Sequence, residues 1–112
     1  DIRRRAFPDN PEKAVVTGAE LQQGSRYDYG QRDSYGRTDE GGADIQYGRF
    51  LDELGWEFDQ EGHRRTDLIR FGVFTTKSWF SHRASRDETK TLFPIPRQAL
   101  NTNPNLRQNP GY

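Results

Sequence analysis

The sequence predicts a mainly α-helical chain in which long irregular segments separate the helices, and three observations lead to this prediction. Residues 43–72 carry apolar side chains at intervals of three and four, the spacing of one helix face. Residues 24–42 contain five glycines and three tyrosines but no aliphatic residue, which indicates a surface loop. Residues 92–112 are interrupted by proline and asparagine, which favour extended and turn structure.

The helical segment 43–72 has signals for its beginning, its interior and its end. Asp44 is the predicted N-cap, because a carboxylate there can accept hydrogen bonds from free backbone N–H groups. Gly62 interrupts the pattern and Gly72 offers a stop signal, so we expect a helix pair or a bent helix. The apolar stripe consists of Tyr47, Leu51, Leu54 and Phe58.

Composition argues that the core of this protein is incomplete within these 112 residues. Only 30% of the residues are hydrophobic, the mean hydropathy is -1.13 and cysteine is absent, so disulfides cannot substitute for a core. We therefore expect a C-terminal fragment, residues 1–112, of a larger domain. Its main helix would lack a partner within the chain, and the isolated piece would not unfold cooperatively.

Charge excludes one broad class of function. The chain has 17 basic and 17 acidic residues, interspersed along its length, and a net charge of zero. Nucleic-acid binding needs a basic face that neutralises phosphates, so we expect no nucleic-acid partner.

The final segment, 92–112, is predicted to be fixed in place rather than flexible. Pro94 and Pro96 restrict the backbone and remove two N–H donors, so residues 93–96 should run extended. The Asn-Pro pairs at 103–104 and 109–110 favour turns.

These motifs together resemble the C-terminus of the SusD/RagB family. The resemblance rests on the run Glu57 to Gly72, then Leu92 to Pro96, then Asn103 to Tyr112, in this order and at this spacing. Residues 2–7 also resemble the end of the helix that precedes this region in the family.

The resemblance implies a tetratricopeptide-like helical fold of SusD type and a function without catalysis. It implies a lipoprotein of Bacteroidota-type bacteria at the extracellular face of the outer membrane, lipid-anchored through an N-terminus missing from this chain. Such a protein captures glycans, or in some branches peptides, and delivers them to a SusC-type TonB-dependent transporter. The remaining N-terminal part of the same protein is the third expected partner, and no cofactor is expected.

Three carboxylates could suggest the acid and base of a glycosidase. Glu57 and Glu61 share a helix face while Asp59 points elsewhere, and two arginines follow Glu61. We favour structural ion pairs with Arg64 and Arg65 over catalysis, and expect no catalytic residue.

One histidine could belong to a dyad or a metal site. His63 and Asp67 stand four residues apart on a helical pattern, and His82 is the only second imidazole. We expect His63 to be a buried or half-buried packing residue, and we expect no metal site.

Ligand binding is the remaining function, and aromatic side chains are its candidates. Flat aromatic faces can stack on the apolar faces of sugar rings. The candidate binding residues are Trp79 and Phe80 in one loop, with Trp79 the stronger of the two, and Tyr27, Tyr29 and Tyr35 in the long polar loop. Two alternatives stay open, since Trp79 could be a core residue and the tyrosine loop could contact the transporter.

Overall fold

The computed structural model describes residues 2–112 and shows short helices joined by long irregular segments. Within these residues the predicted mainly helical character is confirmed, since a single two-stranded antiparallel hairpin is the regular β structure. No helix in this range is long and apolar enough to cross a membrane. The elements are α1 (Ile2–Ala6), α2 (Gly18–Leu21), β1 (Arg32–Asp33), β2 (Gly36–Arg37), α3 (Gly48–Glu57), α4 (Arg64–Arg70) and α5 (Arg97–Thr102), with 3-10 turns at Pro11–Ala14 and Glu88–Thr91.

The main helix α3 begins later than the sequence suggests. Asp44 does not cap it, because the Lys77 ammonium donates to the Asp44 carboxylate instead, at 2.7 Å. The cap position is Tyr47, whose φ is +55°. A close backbone contact determines this start, since a Cβ on Gly48 would lie 2.0 Å from the Ser25 nitrogen. The helix therefore begins where glycine allows two segments to approach.

The segment after α3 folds back as a second helix, so the helix-pair prediction for residues 43–72 is confirmed. Gly62 and Gly72 lie on either side of α4 with φ of +79° and +70°, conformations that favour glycine. Arg64 at the start of α4 donates to the backbone oxygen of Leu51 in α3, at 2.9 Å. The expectation that this helix lacks a partner within the chain was wrong.

A small core lies where α3, α4 and two loops meet. Leu51 is fully buried, and the aromatic ring of Tyr29, from the loop, is 1% exposed. The expectation of a wholly surface loop is therefore wrong at Tyr29, because the ring fills space that the helices alone leave open. The buried apolar residues are Tyr29, Ile45, Leu51, Leu68 and Val73, and the rings of Phe71, Phe74 and Trp79 pack against them.

In the final segment, side-chain amides bond backbone groups of the same segment. The expectation of an extended tail over 92–112 is wrong at Arg97–Thr102, which form α5. Gln108 accepts from the Ile95 N–H at 2.7 Å and donates to the Ile95 oxygen at 2.9 Å. Asn109 donates to the Phe93 oxygen at 2.7 Å, and the Tyr112 hydroxyl donates to the Leu92 oxygen at 2.8 Å. The two halves of the tail thus form a clasp, residues 92–96 against 108–112.

Candidate functional site

The polar loop 24–42 and the aromatic segment 74–83 form one continuous surface. Backbone hydrogen bonds join them directly: Gly30 N–H donates to the Ser78 oxygen at 2.7 Å, and Arg32 N–H donates to the Phe80 oxygen at 3.3 Å. A side chain on Gly30 would collide with the Thr38 oxygen, since its Cβ would lie 1.9 Å away. Glycine in this loop therefore permits a tight fold that brings its tyrosines beside Trp79.

The carboxylate of Glu40, in the loop, joins the loop to the aromatic segment. One oxygen of Glu40 accepts from the Ser78 N–H at 2.8 Å, and the other accepts from the Thr38 hydroxyl at 3.2 Å. Burial raises the pKa of Glu40, but the hydrogen bonds from Ser78 and Thr38 and the charge of Lys77 outweigh it and hold the pKa below its ordinary value. The ionised form of Glu40 is the one that joins the two segments.

A second charged contact lies at the edge of the loop. The hydrogen bond from Lys77 lowers the pKa of Asp44 and outweighs the opposing effect of burial. The loop and the aromatic segment are thus held together by ionised carboxylates as well as by backbone bonds.

The β1–β2 hairpin carries Tyr35 at its tip. Asp33 accepts from the Gln31 side-chain amide at 2.7 Å and from the Tyr35 N–H at 2.9 Å. The Gln31 hydrogen bond is the largest cause that lowers the pKa of Asp33, and Arg83 contributes at 4.0 Å. The Arg83 guanidinium carbon lies 5.3 Å from the centre of the Tyr35 ring, a cation–π contact that orients the ring.

The Trp79 ring packs against three other aromatic rings. Its ring stacks on the His82 ring, with centroids 3.8 Å apart and planes 12° apart. The rings of Tyr29 and Phe74 lie against other parts of it, at 6.5 and 6.4 Å between centroids. The His82 ring in turn contacts the Phe74 backbone oxygen through Nε2 at 3.0 Å. Trp79 is therefore half-buried and rigidly held.

Among the predicted binding residues, Tyr29 contacts both Tyr27 and Trp79, whereas Tyr35 lies apart at the tip of the β1–β2 hairpin. Tyr35 is 83% exposed and Tyr27 is 46% exposed, so both offer ring surface to a ligand. Tyr29 does not, because its ring lies in the core against Tyr27 and Trp79. Burial raises the pKa of Tyr29, and its hydroxyl has no hydrogen-bond partner in the described part of the chain.

Sequence reasoning missed the two residues that orient these rings, His82 and Arg83. Both lie in a charged stretch that resembles any solvated loop, and nothing in their spacing indicates contact with Trp79 or Tyr35. Only the hairpin formed by residues 79–82 brings them there.

The predicted ion pairs of the carboxylate run are not formed. In residues 2–112 neither Glu57 nor Glu61 forms a salt bridge. Arg64 bonds a backbone oxygen of α3, and Arg65 lies between two rings, 4.8 Å from Phe74 and 3.9 Å from Phe93. Backbone oxygens and aromatic faces satisfy these arginines in place of the carboxylates.

His63 is exposed, contrary to the expectation that it is buried or half-buried. Its ring lies 5.1 Å from the Phe58 ring, between centroids, and Asp67 pairs with Arg70 at 3.5 Å. No dyad is formed, and no group of three potential metal ligands lies together in residues 2–112.

A separate apolar cleft of about 840 Å³ lies between α1 and α3. The side chains of Arg3 and Glu53 pair across it. Trp56, 62% exposed, is its most open aromatic ring. Its apolar lining comprises Ala6, Phe7, Val16, Leu21, Phe50, Leu54, Trp56 and Phe58.

Comparison with known proteins finds a family model that matches the segment containing Trp79 and the tail. A family model described as the SusD family matches residues 74–112, which include Trp79 and the whole clasp but not the loop 24–42. The chain is 41% identical over 69 residues to the starch-binding protein SusD of Bacteroides thetaiotaomicron. That match covers 55% of this chain and 12% of the relative, so the chain spans a small part of the relative's length. No solved structure matches the chain.

Proposed function

We propose, from the premise that this chain belongs to the SusD/RagB family, that it is the C-terminal part of a non-catalytic glycan-binding protein. The observation behind this proposal is the aromatic surface formed by the loop 24–42 and the segment 74–83. It carries the exposed ring of Tyr35, the partly exposed ring of Tyr27 and the half-buried ring of Trp79, which stacks on His82. Rigid rings flanked by planar donors such as Arg83 suit sugars, whose ring faces are apolar and whose edges carry hydroxyls.

The family supplies the cellular setting of the proposal. The protein would be a lipoprotein at the extracellular face of the outer membrane, anchored through an N-terminus outside this chain. It would pass its ligand to a SusC-type TonB-dependent transporter. Residues 24–42, 43–72 and 92–112 would serve as loop, helical segment and clasp of one tetratricopeptide-like domain.

The apolar cleft between α1 and α3 supports the proposal that more of the same protein packs here. Trp56 and Phe50 expose ring surface that a complete domain would cover. The radius of gyration of the chain is 17.9 Å, whereas a compact domain of this length has one of about 13 Å. The N-terminal part of the polypeptide is the proposed partner of this cleft.

The name of the matched relative suggests starch as the first ligand to test. Isothermal titration of the whole protein with maltoheptaose and with cellohexaose would measure glycan binding. We expect heat of binding with at least one of them, and about tenfold weaker binding for Tyr35→Ala, since one lost contact of about 1.4 kcal/mol corresponds to tenfold in affinity. Arg107→Ala is the control, because that side chain is exposed in the tail, outside this surface.

The second candidate function uses the same surface to bind a different partner. Tyr35 and Tyr27 could contact the transporter, or bind peptides rather than glycans, because tyrosine is also common at protein interfaces. Absence of heat with every glycan, together with transporter binding that Tyr35→Ala weakens, would replace the glycan proposal with this one.

Catalysis is not part of the proposal. Glu57 is half-buried at the end of α3, and Glu61 is exposed beyond it. Glycan hydrolysis by the wild-type protein that Glu57→Gln or Glu61→Gln abolishes would contradict it.

A further inference from the structure

The segment after Ser78 forms a second hairpin with a two-residue loop. Trp79 N–H donates to the His82 oxygen at 3.0 Å, and His82 N–H donates back to the Trp79 oxygen at 2.6 Å. Phe80 and Ser81 are left as the two central residues. The φ of Phe80 is +21°, and Ser81 is not among the residues with positive φ. The signs of these two φ angles are those of a type II′ turn, whose first central position is normally glycine.

Phenylalanine is unfavourable at this position, and nothing around it compensates. A positive φ strains a residue that carries a Cβ. Burial does not compensate for the strain, because Phe80 is 67% exposed and pairs with no aromatic ring of residues 2–112. Glycine would serve the turn better, so the requirements of the fold do not explain the ring.

The tip of the 79–82 hairpin contacts the β1–β2 hairpin. The backbone oxygen of Phe80 accepts from Arg32 N–H, which belongs to β1, and the β1–β2 turn carries Tyr35. Arg83, directly after the second hairpin, covers the Tyr35 ring. The two hairpins, each with an exposed aromatic side chain at its tip, therefore contact each other through the tip of the second and β1 of the first.

We propose that Phe80 is a ligand contact of this surface and that its strained turn exists to present the ring to a sugar. This inference rests on the proposed glycan binding and adds a residue to its site. The stacked Trp79 and His82 rings fix the base of the hairpin, so the Phe80 ring projects from a rigid support. A rigid ring loses little freedom when a ligand binds, which favours affinity.

The test separates binding from stability by replacing the ring with the residue that the turn prefers. In the whole protein, Phe80→Gly should leave the melting temperature equal or higher, because the strain is released. The same variant should bind the glycan identified by titration about tenfold more weakly, because the contact is lost. Phe80→Tyr keeps an aromatic face and should bind within about twofold of wild type.

Each outcome decides the inference. Wild-type affinity in Phe80→Gly would overturn it while leaving the proposed function intact, whereas no glycan binding by the wild type would overturn both. A lower melting temperature in Phe80→Gly would show that the ring stabilises the fold, which also overturns it. Loss of transporter binding at unchanged glycan affinity would assign Phe80 to a protein interface and overturn it as well.

Discussion

The loop 24–42 and the tail 92–112 are both polar, irregular stretches, yet the protein holds them by different physical means. The loop places Tyr29 in the core and fastens its edges with ionised carboxylates such as Glu40. The tail contributes no buried apolar residue and is held by neutral side-chain amides on backbone groups, above all Gln108 on Ile95. Burial and charge hold the loop, whereas hydrogen bonding holds the tail.

This difference follows from the residues that interrupt each stretch. Glycines in the loop let backbone approach backbone, as Gly30 does against Thr38, so a ring can reach the core. Prolines in the tail remove N–H donors and prevent strand pairing, so side chains must provide the missing partners. Gln108 does so by bonding both backbone groups of Ile95, as a neighbouring strand would.

Removing the Tyr29 ring should produce the largest effect. We expect Tyr29→Ala to lower the free energy of unfolding of the whole protein by about 3–5 kcal/mol, because a cavity opens where α3, α4 and the loop meet. Chemical denaturation followed by circular dichroism would measure the loss.

Two tyrosine variants serve as controls for Tyr29→Ala. Tyr29→Phe should be neutral or stabilising, because it removes only a buried hydroxyl that has no hydrogen-bond partner in residues 2–112. Tyr35→Ala, at an exposed tip, should change stability by less than about 0.5 kcal/mol. Equal losses in Tyr29→Ala and Tyr35→Ala would show that the loop does not share the core.

Breaking the clasp should have a smaller and local effect. Gln108→Ala removes both bonds to Ile95, each worth about 1 kcal/mol, and should free the tail without unfolding the helices. Hydrogen exchange at the Ile95 N–H should accelerate about tenfold or more, while that of Leu51 N–H stays unchanged. Arg107→Ala, an exposed neighbour, is the control and should leave both rates as they are.

The smallest effect should come from acid, and it should distinguish the loop from the tail. The pKa values of Asp33, Glu40 and Asp44 are lowered by folding, so their stabilisation is complete above their ordinary pKa values and is lost as pH falls through the lowered ones. Below about pH 4 the Ser78 N–H should therefore exchange faster, because protonated Glu40 accepts more weakly.

The tail provides the internal reference for this titration. The Ile95 N–H bonds a neutral amide of Gln108, so its exchange, corrected for the intrinsic effect of pH, should not change over the same range. Faster exchange at both amides would mean that acid acts on the whole fold rather than on the loop junction.

Much of the fold could be predicted because it depends on local signals. The stripe through Leu51 predicts α3, Gly62 and Gly72 predict the helix pair, and the Asn-Pro pairs predict an ordered tail. The helix start at Gly48 could not be predicted, because it depends on contact with Ser25, a residue 23 positions away in the sequence.

The binding surface was predictable in its residue types but not in its arrangement. Exposed and buried tyrosines look alike in sequence, so nothing separates Tyr29 from Tyr35 before the loop folds. The sequence of segment 74–83 likewise does not reveal that His82 would stack on the Trp79 ring or that Arg83 would contact the Tyr35 ring.

The sequence by itself determined that residues 43–72 form a helix pair or a bent helix, where glycine and proline interrupt the chain, and that charge gives no basis for nucleic-acid binding. These properties follow from local backbone preferences and composition, which act within a few residues. Only the tertiary structure decided which tyrosine is buried in the core and which carboxylates join the loop to the aromatic segment. It also decided which aromatic side chain lies at the tip of a strained turn. Burial and hydrogen bonding between distant segments decide these roles, and a pattern along the chain does not record them.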